Sequence, residues 1–201
     1  MRQHGPSSRT CQPTRGRRRD ATCSGRVSSP HIIGHDRLAD RPPATSLGGH
    51  VSDVRIERCR DAEAAGWLDL RKALWPETPR EIHRAEIRAQ VDDPERFAAF
   101  VAYAVGGTSL GLAEVSLRWD HVNGTTSSPV AFLEGLYVDD RERRRGLARR
   151  LVDAAVAWAH LKGCRELASD VLEANLMGQR VHRALGFEET ERVVYFKRRV
   201  P

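Results

Sequence analysis

The sequence predicts an α/β (α+β) domain built on one central mixed β-sheet flanked by helices. Three observations carry that expectation. From Val54 onward, apolar residues alternate between the twofold period of strands and the 3.6-residue period of helices, in the order β-α-α-β-β-β-α-β-α-β. The stretch Phe132–Leu151, FLEGLYVDDRERRRGLARRL, joins an apolar run to a basic turn and then to an amphipathic pattern. No segment repeats, which excludes a solenoid and leaves one sheet covered by helices as the economical packing.

Each element has a local reason. VRIERC, Val54–Cys59, alternates as a strand. Asp61 is placed to cap a helix from Ala62 whose apolar side holds Ala64, Trp67, Leu68, Leu70, Leu74 and Trp75; Pro76 and Pro79 end it. A charged helix follows from Arg80 to Val91, and Pro94 separates it from a strand over Phe97–Val105. Gly106-Gly107 makes a hairpin turn into the next strand, Ser109 to about His121, and Asn123-Gly124 marks a second turn. The central strand is Val130–Val138. A helix over Gly146–Leu161 turns Leu147, Leu151, Ala154, Ala155 and Trp158 inward and stops at Gly163. A short strand over Glu166–Asp170, a helix from about Glu173 to Leu185 and a last strand over Glu191–Arg198 complete the order.

Residues 1–52 differ in kind. They are rich in Arg, Ser, Pro, Gly and Thr, with RGRRR at Arg15–Arg19, and cannot bury enough apolar surface to offset the entropy of ordering. We expect a disordered Arg-rich N-terminal extension over 1–52 and a folded domain over 53–201. The composition breaks near Val51, which also fits a start of translation close by. The formal net charge of +6 arises in the extension, with nine arginines, no lysine and three aspartates, so the folded part is formally neutral. Charge therefore gives no argument for a nucleic-acid-binding domain, except through the tail. The four cysteines lack CxxC spacing, which suggests neither a zinc site nor a redox pair, and no metal is expected. The chain holds no apolar run of the roughly 18 residues that a membrane helix needs, and no secretory h-region at its start. A cytoplasmic protein with reduced thiols is the expectation.

The central strand and the helix after it carry the chemistry. Arg143, Arg144, Arg145, Gly146, Leu147 and Ala148 fit R-x-x-G-x-A. Glycine lets the backbone approach a pyrophosphate, and the helix start points free N–H groups and its positive end at phosphate oxygens. Asp139 and Asp140 shape the turn before it.

This motif and the element order resemble the GNAT superfamily of acetyl-CoA-dependent N-acetyltransferases. A second match begins at Asn175 and continues through His182-Arg183-Ala184-Leu185-Gly186-Phe187, similar to N-x(6)-Y-x-x-x-G-F with histidine at the tyrosine position. The blocks LRKALWP, VNGT, SPV, FLEGLYV, ASD and HRALGFEETERVVYF, spread from Leu70 to Phe196, look like the aminoglycoside 6′-N-acetyltransferases. The resemblance implies a GNAT fold whose sheet splays between its fourth and fifth strands, acetyl-CoA as co-substrate and a homodimer. It implies that the backbone of Leu136, Tyr137 and Val138 pairs with pantetheine, with the Val138 N–H facing the thioester oxygen. Arg143–Ala148 would hold the pyrophosphate, and Asn175 would bond the pantetheine.

An aminoglycoside is a polycation, so its pocket needs carboxylates and a flat apolar wall. Glu114, Glu134 and Asp170 lie in or at the end of apolar strands, where charge is costly unless paired or solvated in a cleft. We expect them to share one acidic cleft, with Trp75 and, more weakly, Tyr103 as aromatic wall. Asp170 is expected to orient the reactive amine, and Glu134 or a water it holds to relay the proton. His182 has two open readings, acid toward the departing thiolate or a packed helix residue. Other readings of the function are a GNAT enzyme for a polyamine or a protein N-terminus, and a non-enzymatic protein that binds RNA through its tail.

Overall fold

The computed structural model describes residues 54–200. The N-terminal extension, with Cys11 and Cys23, lies outside the described residues. Five strands form one sheet in the order β1-β2-β3-β4-β5: β1 Arg55–Arg58, β2 Phe97–Tyr103, β3 Ser109–Arg118, β4 Val130–Val138 and β5 Leu167–Ala168. The first four pair antiparallel, and β5 joins β4 in parallel. Four helices cover the sheet: α1 Trp67–Leu74, α2 Arg80–Asp92, α3 Leu147–Leu161 and α4 Leu176–Leu185.

Both faces of the sheet are buried, which is why β2 reads FAAFVAY without a polar break. Ala98, Phe100 and Ala102 join Val115, Leu133, Leu136 and the inner side of α3, with Leu151, Ala155 and Trp158. Ala99, Val101 and Tyr103 face the other way, with Leu112, against Trp67, Leu70 and Ile87 of α1 and α2. Successive residues of a strand point to opposite faces, so one segment feeds two cores.

Two features position the functional site. The register of β3 against β4 steps from Glu114↔Gly135 to Val115↔Leu133, so Glu134 is the extra residue of a β-bulge. And β4 pairs with β5 only at Ala131↔Leu167 and Phe132↔Ala168, although β4 runs on to Val138. Beyond Phe132 the two strands part, which is the expected splay.

The structure corrects two helix starts and removes one strand. Helix α1 begins at Trp67, because Asp61 accepts from the Glu63 N–H (2.9 Å) and closes a turn instead of capping the helix. Helix α4 begins after Asn175, whose side chain accepts from the Gly178 N–H (2.9 Å). The strand expected over Glu191–Arg198 does not form; residues 187–200 carry no regular structure, and Phe196 is 93% exposed. A strand needs a partner edge, and none within the described chain meets this stretch.

Candidate active site

The cradle for phosphate stands at the C-terminal end of β4. Asp139 accepts from the Arg141 N–H (3.0 Å) and starts a single 3-10 turn, Asp140–Glu142. Arg144 and Gly146 then take left-handed backbone conformations, with φ of 60° and 79°. Successive residues of this kind turn N–H groups toward one concavity. No side chain caps the N-terminus of α3, which leaves its first N–H groups suited to an anionic ligand. A Cβ at Gly146 would meet nothing within 4 Å, so the space beside this backbone is open. The basic side chains are partly engaged. Arg143 donates from Nε to the Val138 carbonyl (3.2 Å) and pairs with Asp140 (2.6 Å), and Arg145 pairs with Glu142 (2.8 Å). Leu147 is buried under the cradle, and Ala148 packs beside it.

Two carboxylates, Glu134 and Asp170, lie close enough beside the splay to feel each other's charge, and they mark the candidate acceptor cleft. The bulge turns Glu134 onto the face of Gly135, where its Oε1 accepts from Ser116 Oγ (2.5 Å) and both of its oxygens accept from Arg118 Nη2 (2.9 and 3.1 Å). Asp170 follows β5. The residue is exposed, yet desolvation by the neighbouring protein pushes its carboxyl above the usual range, and the charge of Glu134 acts the same way, while Arg118 and His182 oppose them. Trp75 supplies a wall. Its ring lies against the backbone of β4, so closely that a Cβ on Gly135 would stand 2.6 Å from Trp75 Cη2.

The structure removes two residues from that cleft. Glu114 is 2% exposed, and its carboxylate accepts from Arg71 Nη1 (2.9 and 2.7 Å), Trp67 Nε1 (2.6 Å) and Gln90 Nε2 (3.0 Å). A carboxylate with that many donors has nothing left for a substrate ammonium. Tyr103 is buried, and its hydroxyl donates to the Ala65 carbonyl (2.8 Å) at the far end of β2.

His182 and Asn175 are also redirected. His182 is buried, with Nδ1 2.8 Å from the Gly178 carbonyl and Nε2 3.1 Å from Ser169 Oγ, and its ring packs edge-on against Phe187. Burial pushes its pKa down, against the Gly178 hydrogen bond and Asp170. A neutral ring whose Nδ1–H is given to a carbonyl presents Nε2 as an acceptor, so it has no proton for a thiolate. The packed reading fits, and Ser169, whose Oγ also lies 3.2 Å from the Leu133 carbonyl across the splay, is its hydroxyl partner. Asn175 Oδ1 is spent on the α4 cap.

Residue-by-residue reading missed the support of Trp75. Arg71 Nε donates to His83 Nδ1 (3.4 Å), His83 Nε2 then donates to the Trp75 carbonyl (3.2 Å), and the Arg71 guanidinium carbon lies 4.9 Å from the Trp75 ring centre. Burial and the charge of Arg71 push the pKa of His83 down, which keeps it neutral for that role. A signal was present: Arg71 shares the apolar stripe of α1 with Trp67, Leu70 and Leu74. Arg118 and the exposed Trp119 at the end of β3 were missed as well.

An open mixed sheet, a strand pair that parts and a phosphate cradle at the next helix define the class: an α/β domain built to hold a nucleotide-linked acyl group. The chain belongs to the acetyltransferase (GNAT) family, whose model matches residues 67–187. It is 51% identical over 140 residues to the aminoglycoside N(6′)-acetyltransferase type 1 of Serratia marcescens, covering 70% of this chain and 95% of that protein. The enzyme of the same name from Stenotrophomonas maltophilia is 47% identical over 147 residues, covering 73% and 94%. Among solved structures, AAC(6′)-Iy in complex with the bisubstrate analogue CoA-S-monomethyl-acetylneamine superposes with a TM-score of 0.70 at 43% identity, over 73% of this chain and 99% of that one. AAC(6′)-Ih from Acinetobacter baumannii gives 0.70 at 38% identity, over 74% and 99%. Among the described residues, no group of side chains is arranged to hold a metal ion, and no helix is long and apolar enough to cross a membrane.

Proposed function

We propose that this chain transfers the acetyl group of acetyl-CoA to the 6′-amine of aminoglycoside antibiotics and so confers resistance to them. One observation supports the reading: β4 and β5 part beyond Phe132, with the uncapped start of α3 past the end of β4 and Glu134 and Asp170 beside the gap. The pyrophosphate binds the N–H groups of Arg143–Ala148, and pantetheine pairs with the edge of β4 at Leu136, Tyr137 and Val138. The acceptor lies against Trp75 with its ammonium groups at Glu134 and Asp170. Asp170 takes the proton of the attacking amine, a task favoured by a carboxyl raised above its ordinary range. The neutral nitrogen then adds to the thioester carbonyl, whose oxygen accepts from the Val138 N–H. Collapse breaks the carbon–sulfur bond, and the second proton of the nitrogen passes to the departing sulfur, so the amide forms and CoA leaves as its thiol, whose pKa of ~8.5 makes the sulfur a good leaving group.

The enzyme acts in the cytoplasm as a homodimer. The dimer reading is supported by Val193, Val194, Tyr195 and Phe196, a strand-patterned stretch left exposed. Light scattering should give twice the chain mass for the full chain and the monomer mass once residues 191–201 are removed. For the activity, acetyl-CoA with kanamycin or tobramycin should release free CoA thiol. A polyamine and an N-terminal peptide serve as rival acceptors, and release with those alone refutes the reading.

A further inference from the structure

We propose that Arg118 is a resident counter-cation of the acceptor cleft, seated on Glu134 in the free protein and displaced when a substrate ammonium takes that place. The inference rests on the reading of this cleft as the acceptor site. An arginine is unexpected in a pocket for a polycation, and its surroundings explain it. Glu114, Ser116 and Arg118 follow one another on one face of β3. Two arginine–glutamate pairs therefore form on that face, and they differ in one respect. Arg71–Glu114 is sealed, with side chains 5% and 3% exposed, whereas Arg118–Glu134 is open, at 35% and 28%. A partly exposed pair contributes little net stability, so exchanging its cation is easy.

The displaced guanidinium has a place prepared for it. Its central carbon lies 3.4 Å from the ring centre of Phe132, so an aromatic face still holds the cation when Glu134 lets go. Arg118 also acts on the second carboxylate. The titratable and charged groups that face Asp170 are Arg118 from β3, Glu134 from β4 and His182 from α4, and Arg118 favours the ionised form.

This arrangement sets a threshold. An acceptor with one ammonium exchanges one cation for another at Glu134 and gains little. An acceptor with several ammonium groups also engages Asp170, and its gain exceeds the loss of Arg118. The residue thus selects against simple monoamines.

The test is calorimetric titration of kanamycin and of glucosamine, a monoamine, into the wild-type chain and Arg118→Gln. Arg118→Gln should bind kanamycin about fivefold more tightly, the size of a partly exposed ion pair, and should gain at least as much for glucosamine. The acid limb of its kcat/KM profile should move to higher pH, because Asp170 loses a cation, and Arg118→Lys should restore it. Equal or weaker kanamycin binding by Arg118→Gln overturns the proposal, since an arginine that merely braces Glu134 predicts that result. Should Arg118→Gln not fold, NMR of the wild-type chain decides. The Arg118 Nε–H signal, identified as the one lost in Arg118→Lys, must move on addition of kanamycin toward its position in Glu134→Gln. A signal that stays in place overturns the proposal. A wild-type chain that binds kanamycin but transfers no acetyl group refutes the proposed function and leaves this inference standing. A chain that binds no kanamycin refutes both.

Discussion

Replacing Glu114 by alanine takes a carboxylate out of the centre of the α1–α2–β3 network. Arg71 Nη1 loses both of its contacts to that carboxylate, at 2.9 and 2.7 Å, Trp67 Nε1 loses an acceptor at 2.6 Å, and Gln90 loses one at 3.0 Å. Arg71 is 4% exposed and keeps Glu86 at 2.5 Å and His83 at 3.4 Å, so its charge is left half-compensated inside the protein. Breaking a buried pair costs about 3–5 kcal/mol, and an unsatisfied buried indole N–H adds roughly 1 kcal/mol. A domain of about 150 residues loses some 2–4 °C of Tm per kcal/mol, so the variant should melt roughly 10–20 °C lower. The assay is thermal unfolding by circular dichroism, with acetyl transfer to kanamycin followed well below the new Tm. Activity should fall chiefly through lost folded protein. A Tm within about 3 °C of wild type, together with a large rise in the acceptor KM, would return Glu114 to the acceptor cleft and refute the network argument.

Gly135→Ala places a methyl 2.6 Å from Trp75 Cη2 and 2.8 Å from Leu74 Cδ2. Overpacking of this kind costs about 1–3 kcal/mol, and steady-state kinetics should show the kanamycin KM raised about tenfold with the acetyl-CoA KM unchanged. Asp170→Asn removes the base, so kcat/KM for kanamycin should fall by about 10² or more, while calorimetry finds acetyl-CoA binding intact. In the wild-type chain the acid limb of kcat/KM should lie above the ordinary carboxylate range, because desolvation and Glu134 raise the pKa of Asp170. His83 and His182 both have folded-state pKa values held below the unfolded value, chiefly by burial. The unfolded chain therefore binds more protons below about pH 6.5, and these two residues make stability fall as pH drops from neutral. Urea unfolding at pH 7.5 and 5.5 should show that loss, and His182→Gln should reduce it.

The parts of the fold that the sequence announced are those fixed by local chemistry. Strand β4 has the bounds expected from its apolar run, and α3 ends at Leu161 as expected and begins one residue after the expected Gly146, which is its N-cap. The hairpin at Gly106-Gly107 forms as its glycines require. Elements whose existence depends on something distant were not legible. ERVVYF has every property of a strand, yet β5 is only two residues long, and the described chain offers it no edge. Asp61 is a good cap by type, but the backbone after it closes turns, and α1 starts only where Trp67 is drawn into the core beneath the sheet.

The three carboxylates show where reading by residue type runs out. Glu114, Glu134 and Asp170 all break apolar strands, and each demands a partner on energetic grounds. The identity of that partner is a long-range property. Glu114 meets Arg71, 43 positions away, because both face the space between α1 and β3. Glu134 escapes the same fate through the bulge, which makes it the unpaired extra residue of β4 and turns it beside Ser116 and Arg118 at the open end of the sheet. Leu133 and Leu136 both face α3, so the bulge leaves Glu134 and Gly135 together on the opposite face, the one that carries Ser116 and Arg118. The partner that Glu134 finds is therefore set by an irregularity of register that residue type alone does not announce.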